Sequence, residues 1–180
     1  GDSYTLNGTK LFVPNAHVAD YMVVAAKTGS SDEDISLFVV ATQSDGVTQT
    51  LLKTIASDRQ SEVVFDNVKV PSSALLGAEN QGWETIKKVM QWGAIGKCAE
   101  MSGGGQQVLD MTVDYAKQRT QFGRPIGSFQ AIQHHCANMA TDVEGSKFIT
   151  YQAAWRLSEG LPAEREVAMA KAWVSDAYRR

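Results

Sequence analysis

Two periodicities divide the chain. Up to about residue 78, apolar residues come in short runs, at 11–13, 21–26, 35–41, 47–52 and 63–70. Polar turns such as Gly29-Ser30-Ser31-Asp32 and Ser44-Asp45-Gly46 separate them. Many short strands at this spacing predict an antiparallel barrel or sandwich. Leu6-Asn7-Gly8-Thr9-Lys10 sets an Asn-Gly pair between strand-like residues, which is a hairpin signal. Pro71 closes the last strand, because it has no N–H to give to a ladder.

From about residue 80 the period becomes helical. Met101, Gly104, Val108, Met111 and Tyr115 recur at steps of three and four, marking one face of a long helix. Phe129, Ile132, Cys136, Met139 and Val143 do the same in the next, which stops at Gly160 with Pro162 beyond. A third helix starts near Pro162, with Val167, Ala170, Trp173 and Ala177 on its apolar face. The predicted fold is α+β: an antiparallel β-barrel or sandwich over residues 1–78, then an incomplete antiparallel helical bundle over 79–180.

Gly103-Gly104-Gly105 interrupts the first helical pattern. Three helical glycines cost about 2–3 kcal/mol against alanine. Either the helix kinks there, or small residues admit a close neighbour. Close packing against another helix is the preferred reading.

Composition narrows the function classes. With 43% hydrophobic and 21% charged residues, the 180 residues fall in the globular range. The net charge of −3 and the lack of a long basic run argue against a nucleic-acid surface. No apolar run is long enough to cross a bilayer. Cys98 and Cys136 fall on separate predicted helices and read as reduced thiols of an intracellular, cytoplasmic protein. No Cys/His/carboxylate cluster has zinc spacing, so no metal is expected. His134 and His135 are adjacent on a helix, point about 100° apart and cannot face one ligand together. Trp83, Trp92, Trp155 and Trp173 read most simply as core anchors.

Chemistry concentrates between the first two helices, in Arg119-Thr120-Gln121-Phe122-Gly123-Arg124-Pro125-Ile126-Gly127-Ser128-Phe129-Gln130. Loops carried on rigid helices are where ligand contacts usually sit. Arg offers a planar fork for phosphate oxygens and Phe a stacking face, which suits a ligand with both phosphate and a flat ring. The bland alternative is Gly/Pro punctuation, with Phe122 and Phe129 plugging the end of a bundle.

The pattern R-x-Q-F-G-x-P-I-x-x-F-Q resembles the signature joining two C-terminal helices of flavin-dependent acyl-CoA dehydrogenases. Further stretches share the resemblance. Tyr4-Thr5-Leu6-Asn7-Gly8-Thr9-Lys10 is similar to the start of that family's middle β domain, and Phe65-Asp66-Asn67-Val68-Lys69-Val70-Pro71 to its last strand. All 180 residues can be laid on the family, covering only its middle.

The resemblance implies FAD held between a β domain and a helical bundle in a homo- or hetero-oligomer. Arg119, Gln121 and Phe122 would touch the adenine-diphosphate part of a FAD held mainly by a partner subunit, with Phe129 and Gln130 beside it. Phe12, Val13 and Pro14 match the strand facing the flavin ring. On residue type alone, Phe12 is equally ordinary core. Trp92 falls near the expected acyl pocket. The implied reaction is α,β-desaturation of an acyl-CoA, with electrons passed to an electron-transfer flavoprotein. The implied alternative is a non-catalytic subunit that completes a partner's FAD site.

Three departures bear on that alternative. Pro14 stands where the family commonly has Thr, and it has neither hydroxyl nor N–H to donate. Gln91-Trp92-Gly93-Ala94 lacks both charges of the family's Asp-x-x-Arg. Gly93 also occupies the position where a minority of members place the catalytic glutamate, and Glu100 reads as helix-surface charge. No catalytic residue is assigned within 1–180.

Overall fold

The computed structural model describes residues 3–180, which divide between Lys87 and Lys88 into two compact units. In the first, β1 (Ser3–Pro14), β5 (Gln60–Pro71) and β4 (Val47–Leu51) make one antiparallel sheet in the order β1-β5-β4. The strands β2 (Tyr21–Lys27), β3 (Ile35–Ala41) and β6 (Leu75–Leu76) make a second, in the order β2-β3-β6. Their shared core contains Leu6, Val24, Phe38, Val40, Val63, Phe65, Val68 and Val70.

The alternation within β5 explains how that core is kept. Ser61, Val63 and Phe65 are buried, and then the phase shifts to Val68 and Val70. Two residues of β5, Asp66 and Asn67, stand opposite the single Asn7 of β1, which is a β-bulge. Asn67 has φ 53°, and its N–H donates to Asn7 Oδ1 at 2.8 Å. The hairpin expected at Asn7-Gly8 is therefore absent: β1 runs straight through the pair. Asn7 serves the bulge across the sheet, a role that depends on a residue 60 positions away in sequence.

The second unit holds most of α1 (Gly82–Gln118), with α2 (Gln130–Ser158) and α3 (Glu164–Arg179). Its core is built from small side chains, with Cys98, Ala153 and Ala170 fully buried among Ile95, Val167 and Val174. Small residues let helices approach closely. α1 runs unbroken through its glycine triplet, and a Cβ on Gly104 would lie 3.0 Å from the Tyr178 hydroxyl. That accords with close helix packing. Gly160, at φ 65°, ends α2 in the left-handed conformation its position requires.

Two predicted faces differ from those observed. On α1, Val108, Met111 and Tyr115 are exposed, because neither α2 nor α3 covers that stripe. On α3, the buried series is Val167, Ala170 and Val174, and Trp173 lies at the edge of it, half exposed. Trp92 and Trp155 are likewise exposed and are not core anchors here. Among the described residues, no helix is long and apolar enough to cross a membrane.

Candidate functional site

The segment after α1 is a miniature hairpin. β7 (Thr120–Gln121) pairs with β8 (Arg124–Pro125), setting Thr120 opposite Pro125 and Gln121 opposite Arg124. The two turn residues, Phe122 and Gly123, both have positive φ, 54° and 78°. Two-residue turns of this hand match the twist of the strands they join, and they favour Asn-Gly because both residues must be left-handed. Gly123 is at ease there. A phenylalanine is not, and left-handed backbone costs a bulky residue roughly 1–2 kcal/mol.

The hairpin is tied down at both ends. Arg119 N–H closes the last turn of α1 on Tyr115 O at 2.8 Å, and Ile126 N–H donates to Arg119 O at 2.8 Å. Gly127 sits so close to the end of α1 that a Cβ there would lie 3.0 Å from Ala116 O. Its carbonyl accepts from Gln133 Nε2 at 3.0 Å, and Ser128 Oγ donates to Pro125 O at 2.7 Å. Phe129 is the residue that starts α2, with Ile132 and Gln133 N–H groups on its carbonyl.

Three side chains then gather at the tip. Phe122 meets Phe129 edge-on, with ring centres 6.1 Å apart and planes at 85°. The Arg124 guanidinium lies over the Phe129 ring, 4.2 Å from its centre. Phe122 remains 91% exposed, so it is no plug of a bundle end within this chain. Arg119, Gln121 and Gln130 are exposed on the same short segment. Among the described residues, neither Arg119 nor Arg124 has an ion-pair partner. The anchored backbone, open rings and uncompensated cations form a surface suited to a flat anionic ligand.

The strand predicted to face a ring is unusual in the same way. Leu11 and Phe12 of β1 stand opposite Glu62 alone, a second bulge, and Phe12 adopts φ 59°. Its side chain is 65% exposed, which removes the ordinary-core reading. Phe12, Val13 and Pro14 line an apolar hollow of about 340 Å³ together with residues 22–25 of β2 and Val63 and Phe65 of β5. Pro14 ends an edge strand, where its missing N–H leaves no gap in a ladder.

The remaining candidates divide cleanly. Trp92 is 52% exposed on α1, with Val89 and Met90 exposed beside it. Glu100 pairs with Lys97 at 2.6 Å on the helix surface, and holds that lysine above its ordinary value by hydrogen bond and charge. It is surface charge, as expected. His134 and His135 are exposed, and no metal-binding cluster exists among the described residues. Cys98 is buried, and burial pushes its thiol up, so it stays neutral. Sequence reasoning passed over Arg124, whose position is unspecified in the motif. The two-residue spacing between Gln121 and Arg124 was the available signal.

Comparison with known proteins places the chain in a family. Residues 1–68 match the acyl-CoA dehydrogenase middle domain, and residues 80–180 match the acyl-CoA dehydrogenase C-terminal domain. The chain belongs to the acyl-CoA dehydrogenase family. It is 38% identical to a 3-(aryl)acrylate reductase of Clostridium sporogenes over 98% of its length and 48% of that protein's. It is 36% identical to the caffeyl-CoA reductase-Etf complex subunit CarC of Acetobacterium woodii, over 98% of this chain and 48% of that protein's. Among solved structures, PigA with FAD and proline superposes with a TM-score of 0.92 at 30% identity, covering 97% of this chain and 47% of that one. The chain thus spans about half the length of the relatives it matches. FAD, the cofactor expected from the signature, is the one in that solved relative.

Proposed function

We propose that this chain carries FAD-gripping elements of an oxidoreductase acting on the Cα–Cβ bond of an acyl-CoA thioester. The observation that carries the reading is the Phe122–Phe129–Arg124 cluster on the hairpin, with Phe122 and Arg124 exposed and Phe122 held on a strained backbone. Backbone strain of this kind persists where the surroundings over-determine it, and it concentrates at ligand sites. The residues fit an adenine diphosphate: a fork for phosphate oxygens at Arg119, an amide at Gln121, and ring faces at Phe122 and Phe129. Phe12 and Pro14 offer the flavin ring an apolar wall. FAD, when bound, supplies the acceptor or donor of hydride at the β-carbon.

Electrons would be exchanged with an electron-transfer flavoprotein. A cytoplasmic setting suits two free thiols. The hairpin would reach a neighbouring subunit's FAD, and the uncovered stripe of Phe148, Tyr151 and Trp155 on α2 offers apolar area for such an assembly. Trp92, exposed beside Val89 and Met90, would line the acyl pocket.

A second reading is favoured by Pro14, Gly93 and Ala94. These positions can neither donate to the flavin ring nor supply a base or charge to the substrate, which is what a non-catalytic subunit completing a partner's FAD site requires. Reconstitution of the full-length protein with FAD, followed by its visible spectrum, tests the cofactor assignment. A colourless protein would sink it. Turnover by flavin-loaded protein separates the catalytic reading from the second.

A further inference from the structure

Arg124 has so far been placed on the Phe129 ring and given no contact of its own with a ligand, yet the hairpin register puts it directly opposite Gln121. Paired residues in a ribbon project to one face, and alternate residues share it. Arg119, two positions before Gln121 and bonded through its carbonyl to Ile126 N–H, extends the same side. Carried one rung further to Arg119, this alternation sets two guanidiniums and one amide on one face of the ribbon.

The stacking of Arg124 on Phe129 leaves its donors available. A guanidinium lying face-on over a ring, 4.2 Å from the centre, still presents its N–H groups in its own plane. The ring fixes the fork's orientation, so less side-chain freedom is lost on binding. The local charge is also uncompensated. Residues 115–141 contain no Asp or Glu, while they carry Lys117, Arg119 and Arg124. Lys117 reaches Asp114 at 3.9 Å, and Asp142, just beyond, is held by Arg180 at 3.0 Å.

We infer that Arg124 is a second cation for the diphosphate of FAD, gripping it from the same face as Arg119 and Gln121. The inference rests on the FAD assignment above and names a contact within that site. Two phosphates carry two charges, and two forks on one ribbon match them. Phe129 acts as the platform that holds one of the forks in place.

The test is titration of full-length apoprotein with FAD and with riboflavin, which has the ring system but no phosphate, in wild type, Arg119→Ala, Arg124→Ala and Arg124→Met. Arg124→Met keeps a long side chain over Phe129 without the charge. Loss of one charge-assisted contact corresponds to roughly a tenfold change or more. Both Arg124 variants should weaken FAD binding by that factor and leave riboflavin binding unmoved. Equal FAD affinity in Arg124→Met and wild type would overturn the inference, because the guanidinium would then only be packing on the ring. So would a parallel fall with riboflavin. CoA, which also contains an adenosine diphosphate group, is titrated into flavin-loaded protein. If the variants weaken CoA and spare FAD, the assignment to FAD fails. A wild type that binds no FAD instead defeats the underlying reading, whereas impaired Arg119→Ala beside unaffected Arg124 variants defeats this inference alone.

Discussion

The rings of Phe122 and Phe129 meet edge to face with centres 6.1 Å apart while the Phe122 backbone is held at φ 54°, so an aromatic contact is made at a place where the backbone disfavours any aromatic residue. The neighbouring Gly123 shows what the turn would accept without strain. A side chain that costs stability and stays open to solvent is best explained by what it touches when a ligand arrives.

Phe122→Asn tests that relationship. Asparagine suits the left-handed turn position, so unfolding of the apoprotein should become harder by about 1 kcal/mol. FAD affinity should fall at the same time, because the stacking face is gone. Chemical denaturation and flavin titration on the same preparation measure both. Lower stability or unchanged affinity would contradict the account.

Packing at the glycine triplet gives a second pair of outcomes. Gly103 faces open space, so Gly103→Ala should stabilise the protein by about 0.5–1 kcal/mol through helix propensity. Gly104 faces Tyr178, and Gly104→Val should cost about 1–3 kcal/mol by overpacking. Thermal unfolding distinguishes them, and the same sign for both variants would show that α3 does not press on α1 at this point.

Thiol chemistry gives a third. Burial raises the Cys98 thiol above its ordinary value, so its neutral form is favoured in the folded protein. The unfolded chain loses that proton first, above about pH 8.5. The stabilising effect is therefore complete below that pH and declines as pH rises toward the folded value. Alkylation of the native protein at pH 8 should modify Cys136, which is only partly buried, well before Cys98. Equal rates would mean that the helical core opens far more readily than its packing implies.

Much of the fold was legible from the order of residues alone. Strand β3 spans the apolar run at 35–41, and α2 stops where Gly160 and Pro162 end its pattern. The failures share a cause, which is partners distant in sequence. Asn7-Gly8 looks like a turn in isolation and becomes a bulge partner only because Asn67 faces it. Val108, Met111 and Tyr115 have helical spacing, but spacing cannot say whether a neighbour covers them. Phe12 was open to either reading until its bulge turned it outward. The hairpin at residues 120–125 was hidden because its turn carries Phe where Asn is usual.

The central claim is that the Arg119 hairpin grips the diphosphate of FAD. Its most direct test compares dissociation constants for FAD and for riboflavin in full-length wild type and Arg119→Ala. The account predicts that FAD binding weakens by roughly tenfold or more in the variant while riboflavin binding is unchanged. Equal FAD affinity in the two proteins would contradict it.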